Sequence, residues 1–193
     1  CNASTEKSFY DLSNAFEKWY FKYHPVQASL HNISRYHGQF REYGKLSIEE
    51  YSQDLSRFII ELSQINETKL SEVNRIDYKI LYSNLEKLKY ITETHRPWEW
   101  NPLLVVNEIF DGILILSEYD NIKMDLRVEA IISRLMLVSK VLELSKDNLS
   151  NISFTHNSYA IKKIERIFLL LEQLPLKLNA DNIILDKIDL LIN

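Results

Sequence analysis

Apolar positions recur at helical spacing along most of the chain. From Phe9 to Tyr23, positions 9, 12, 16, 19, 20 and 23 are apolar or aromatic, which predicts a first amphipathic helix. His24-Pro25 interrupts it, because proline disfavours helix at the residue before it. A short turn of helix is expected through Ala28 and Leu30, and residues 32–46, with Gly38 and Gly44, read as an irregular crossing loop.

Ser47-Ile48-Glu49-Glu50 predicts a capping box: the Ser47 hydroxyl accepts from the N–H three residues on, and Glu50 reaches back. The helix that follows is expected to reach about Ile65, with Tyr51, Leu55, Phe58, Ile59 and Leu62 on one stripe. Ser71 is the next predicted cap. Its helix should run to about Thr94 with Ile76, Ile80, Leu81, Leu85, Leu88 and Ile91 inward. A largely apolar helix is expected at about 103–118, and such a helix is usually buried on most sides. A long amphipathic helix is expected at 122–149, through Val128, Ile131, Ile132, Leu135, Val138 and Leu142. Another spans about 157–174 with Ile161, Ile164, Ile167, Phe168 and Leu171 inward, bent or ended by Pro175.

The pattern predicts an all-α fold, an antiparallel multi-helix bundle of about six to seven helices. Residues 1–8 read as an N-terminal tether, 9–178 as the helical domain, and 179–193 as the start of a further helix. No repeat of ~34 or ~40 residues recurs.

Composition narrows the function. Three glycines in 193 residues leave no clustered-glycine loop of the kind that cradles phosphate. A net charge of -4 gives no reason to expect a nucleic-acid partner. The apolar runs near 103–106 and 113–116 are interrupted by Asn107, Glu108, Asp111 and Gly112, too short and polar for a membrane span of ~20 residues. The sole cysteine is Cys1, followed by polar residues. That arrangement resembles a processed bacterial lipoprotein, with Cys1 as the candidate lipidation site; an arbitrary chain boundary is the plainer alternative.

Complete catalytic motifs are absent from the sequence. Of the histidines at 24, 31, 37, 95 and 156, none is followed by glutamate and no two are four apart, so no His-Glu-x-x-His zinc motif exists. His24, His31 and His37 could converge on a metal, although polar helix-end and loop roles explain them as well. His95 at a helix C-terminus suits the helix dipole. The Asn-x-Ser/Thr triplets at Asn2, Asn32, Asn66, Asn148 and Asn151 suit coincidence in an asparagine- and serine-rich chain better than glycosylation. Arg96, Trp98, Glu99, Trp100, Asn101 and Pro102 form the one unusual cluster. It reads either as a loop presenting groups to a pocket or neighbouring domain, or as a buried corner.

Certain motifs carry a resemblance. Trp19-Tyr20, His24-Pro25 with Ala28, Arg75-Ile76-Asp77-Tyr78 with Leu81 and Leu85-Glu86, Arg96 to Pro102, Arg134-Leu135 and Ala160 stand in an order similar to the N-terminal part of the bacterial DUF885 family, over about residues 9–178. The resemblance implies a longer all-helical protein, often exported or lipid-anchored, similar to zinc metallopeptidases whose His-Glu-x-x-His-type motif lies in a C-terminal part. It carries no catalytic or metal-ligating residue onto this chain. Zinc is then implied for the longer protein and no cofactor for these residues. The expected function is a helical N-terminal domain that covers or braces a substrate cleft and is inactive alone. Its expected partners are the C-terminal part of the same protein and a peptide substrate, and its expected location is the cell envelope, periplasmic or outer-surface side, touching membrane only through a lipid on Cys1. The alternative is a stand-alone helical binding or scaffold protein at the cell surface.

Overall fold

A computed structural model describes residues 3–178. Among these residues there is no strand, and seven α-helices account for most of the chain. They are α1 (Ala3–Tyr23), α2 (Pro25–Leu30), α3 (Lys45–Ser63), α4 (Glu72–Tyr90), α5 (Leu103–Glu118), α6 (Met124–Lys146) and α7 (Phe154–Leu178). The fold is all-α, as the periodicity predicts. Cys1, Asn2 and residues 179–193 lie outside the described residues, so the candidate lipidation site and the expected further helix fall there.

The chain divides into two compact units. The first takes α1 up to Tyr20 together with Lys45–Arg96, and therefore α3 and α4. Its core is aromatic. Trp19 packs on Tyr51 with ring centroids 4.7 Å apart, and its indole N–H donates to Asp54 Oδ2 at 3.0 Å. Phe16 meets Phe58 edge-on at 5.6 Å, and Leu55, Leu62 and Leu85 are almost fully buried. Burying large rings while giving the indole N–H a partner is how a small unit gains area at no polar cost.

The caps of this unit divide in an informative way. Ser71 accepts from the Asn74 N–H at 3.3 Å, as expected. The Glu6 carboxylate then reaches from α1 to the Ser71 N–H and the Asn74 amide, and those hydrogen bonds hold its pKa below the ordinary carboxylate value. The Ser47 capping box does not form, because α3 begins at Lys45 and places Ser47 inside the helix. The first helix likewise begins at Ala3, six residues before the expected Phe9. α4 ends in a wider turn, in which the Arg96 N–H bonds to the Ile91 carbonyl at 2.9 Å, and Arg96 itself takes a left-handed φ of 46°. On α4, Leu81 and Leu85 are buried as predicted, but Ile76 and Ile80 are more than half exposed.

The second unit comprises Phe21–Gly44 and the chain from Pro97 onward. α5 is its centre, packing on α2, α6 and α7. Its Ile109, Ile113 and Leu116 are buried, as expected for a helix without a polar face. The buried face of α7 is Ala160, Leu170, Leu171, Leu174 and Leu178. Ile161, Ile164 and Phe168, expected inward, are 52%, 40% and 57% exposed. α7 has more apolar residues than one face can hold, and α5 selects which of them are covered. Pro175 sits inside the helix, which continues past it to Leu178.

Candidate functional site

Three features of the second unit are candidates for function. The first is a charged centre. Arg134 lies on the core-facing side of α6 and is fully buried. Its Nε donates to the Gln39 carbonyl at 3.0 Å, Nη1 to the Gly112 carbonyl at 2.5 Å, and Nη2 to the Pro25 carbonyl and Ser29 Oγ at 3.3 and 2.8 Å. A guanidinium has five N–H donors in a rigid fork. Four of these hydrogen bonds join α2, the crossing loop and α5 to α6. Burial lowers its pKa to about 10, against support from Glu108, so it stays charged at neutral pH.

Glu108 on α5 is the counter-charge. Burial raises its pKa, opposed by the Arg41 backbone N–H, which donates to Oε1 at 3.1 Å, and by the Arg41 and Arg134 charges. His24 is held down to about 3, first by burial and then by Arg41, so it is neutral. Burial and the nearby Arg134 charge lower His37 as well. The Ser29 hydroxyl donates to the Pro25 carbonyl at 3.2 Å and its oxygen accepts from Arg134, while the His37 ring spans Ser29 Oγ at 3.2 Å (Nδ1) and Asn32 Oδ1 at 3.3 Å (Nε2). Chemically this is a clamp, because its donors and acceptors are spent on one another and on backbone.

The three loop histidines stay apart in role. His37 belongs to the clamp, His24 faces Arg41, and the His31 ring packs on Phe21 at 5.2 Å. Among the described residues no group of three His, Cys, Asp or Glu is placed to hold a metal ion.

The second feature is the segment Pro97–Pro102. Trp98 is buried, and with Asn101, Pro102, Tyr43, Val105 and Leu149 it encloses about 10 Å³, room for at most one water. The Glu99 carbonyl accepts from the Ser150 N–H at 2.8 Å, which ties the segment to the α6–α7 connection. Asn101 Oδ1 accepts from the Leu103 N–H at 3.1 Å at the start of α5. Trp100 stands edge-on to His156 at 5.0 Å, and His156 Nδ1 meets Ser153 Oγ at 2.5 Å. Arg96, at the end of the first unit, is exposed. The geometry of residues 98–102 is that of a filled corner, with the aromatic rings and amide engaged inside the unit.

The third feature is a groove of about 260 Å³ floored by α5 and walled by α6 and α7. Its lining is apolar apart from Ser139.

The sequence reading passed over the clamp. Its signal was present: Arg134 stands between Ile131, Ile132 and Leu135 on the apolar side of α6, and Glu108 lies in the most apolar helix. A charge on an apolar stripe is a candidate buried group.

No protein-family model matches the chain, and no curated protein matches its sequence. Among solved structures, a candidate lipoprotein of unknown function from Shewanella oneidensis superposes on 95% of this chain with a TM-score of 0.75 at 17% identity. The chain spans 37% of that protein's length. At this identity the likeness is one of fold.

Proposed function

We propose that the chain is the helical N-terminal domain of a longer, lipid-anchored, metallopeptidase-like protein of the cell envelope, and that it braces or covers a substrate cleft completed by other parts of that protein. One observation carries the reading: nearly all of this chain corresponds to little more than a third of a larger candidate lipoprotein. The ordered motifs that resemble the DUF885 family support it. The clamp fits a bracing role. A buried guanidinium whose hydrogen bonds tie several elements together favours one arrangement over others.

The test has two arms. The gene around this sequence should encode a lipobox before Cys1 and a His-Glu-x-x-His motif beyond Asn193. The purified 193-residue chain, dialysed against buffer, should retain no stoichiometric zinc and cleave no peptide. One zinc per chain after dialysis, or peptidase activity lost with His24, His31 and His37, overturns the reading.

A further inference from the structure

Two buried arginines lie on α6, and their surroundings differ. Arg134 has three backbone carbonyls and a hydroxyl as acceptors. Arg127, near the start of the same helix, is 5% exposed and has no such set. Its Nη2 donates to the thioether sulfur of Met124 at 3.3 Å. Its Nη1 stands 3.6 Å from Asp120 Oδ1, beyond hydrogen-bond length, and the Asp120 side chain is almost fully exposed. Among the described residues Nε has no partner. A guanidinium carries five N–H donors, and a thioether is a weak acceptor. Buried donors without good acceptors cost free energy, so a strong acceptor formed at this point is stabilised.

We propose that Met124 is a site of reversible oxidation by hydrogen peroxide, and that Arg127 holds the methionine sulfoxide it forms. Met124 is the first residue of α6 and is 39% exposed, so a small oxidant reaches it. Its sulfur has two lone pairs, and the Arg127 N–H covers one of them. The other attacks one oxygen of the peroxide. The S–O bond forms as the O–O bond breaks, and the departing hydroxide takes the proton of the transferred oxygen and leaves as water. Sulfur loses two electrons, which the peroxide gains. The new oxygen is a strong acceptor, and rotation about the flexible bonds of the Met124 side chain brings it to the Arg127 donors. Because one lone pair is covered, the addition favours one of the two sulfoxide epimers. A sulfoxide in an apolar core disrupts packing, whereas here it meets a cation with surplus donors. Each epimer has its own reductase, so the change is reversible. The inference rests on α6 and the loop before it, independently of the peptidase reading.

The experiment uses the 193-residue chain with Cys1→Ser and Met136→Leu, which leaves Met124 as the only sulfur. Hydrogen peroxide is the probe, and peptide mass mapping reads the added oxygen. Urea midpoints are measured for the reduced and oxidised forms, with Arg127 in place and with Arg127→Leu. Oxidation should lower the midpoint less with Arg127 in place than with Arg127→Leu. An equal or larger loss with Arg127 in place overturns the proposal. Should Arg127→Leu fail to fold, the epimers decide. After digestion, epimer-selective methionine sulfoxide reductases should find one epimer in about fivefold excess or more when the folded chain is oxidised, and near-equal amounts when the chain is unfolded in urea first. Near-equal epimers from the folded chain overturn the proposal, as does a folded Met124 that takes up no oxygen.

Discussion

Arg134 on α6 donates to the backbone carbonyl of Gly112 on α5, at the point where residue 112 has no room for a side chain. A Cβ there would stand 2.5 Å from Phe40 Cε1, 3.1 Å from Val26 Cγ2 and 3.3 Å from Arg134 Nη1. The close approach that admits the guanidinium and the requirement for glycine are one constraint.

Gly112→Ala should therefore destabilise the protein, although alanine is the better helix former. Glycine inside a helix costs up to about 1 kcal/mol relative to alanine, and overpacking a close contact costs about 1–3 kcal/mol. Phe40 is buried, so its ring cannot swing into solvent. Urea denaturation should show a net loss of about 1–2 kcal/mol. A gain in stability would show that Phe40 and α5 separate easily.

Arg134→Met keeps much of the volume and removes the charge. It leaves the Gln39 carbonyl and Ser29 without their donor, and Glu108 without its buried counter-charge. Each buried acceptor left without its donor costs about 1–3 kcal/mol. Adding Glu108→Gln to Arg134→Met should recover part of that loss, because the uncompensated carboxylate is then gone. Chemical denaturation of the two single variants and the double variant gives the coupling directly.

The pH dependence has two opposing parts. His24 is depressed to about 3 in the fold and titrates near 6.5 when unfolded. Its contribution is complete above pH 6.5 and is lost as pH falls toward 3, because the unfolded chain takes up the proton first. His37, also lowered, acts in the same direction. Glu108 is raised, so its contribution is complete below the ordinary carboxylate value and lost as pH rises through its folded pKa. In a Glu108→Gln background, His24 should make the protein about 2 kcal/mol less stable at pH 5 than at pH 7.5. His24→Asn in that background should flatten the curve, and an unchanged slope in urea midpoints between those pH values would refute the assignment.

Trp98→Ala tests whether residues 98–102 form a structural corner. Truncating a buried tryptophan costs about 3–5 kcal/mol, and Trp98 is 7% exposed. The less buried Trp100, against His156, should cost less than half as much. The midpoints of thermal unfolding for the two variants measure the ratio. Equal small effects would move the segment back to being a presenting loop.

The sequence was informative where local rules dominate. α5 spans Leu103 to Glu118, within the expected range, because an apolar run bounded by Pro102 has few other options. Ser71 caps α4 because its hydroxyl needs only the N–H three residues on. The capping box at Ser47 obeyed the same local rule and still did not form, since α3 begins two residues earlier, at Lys45. Choice of face was less legible. Ile76, Ile80, Ile161 and Phe168 share the helical period of the buried residues, yet they are exposed.

By itself, then, the sequence determined the helical class, most helix positions and the absence of a zinc-peptidase motif. These depend on periodicity, proline and residue identity, which act over a few positions. Tertiary structure alone decided that Arg134 is buried with the Glu108 charge near it, that residues 98–102 fill a corner and that α7 buries Leu170 and Leu174 rather than Ile161 and Phe168. Those outcomes depend on which partner helix arrives and on groups up to about a hundred residues apart, such as Arg134 and Pro25. Hydrophobic burial has no direction of its own, so an apolar stripe states that something will cover it without stating what.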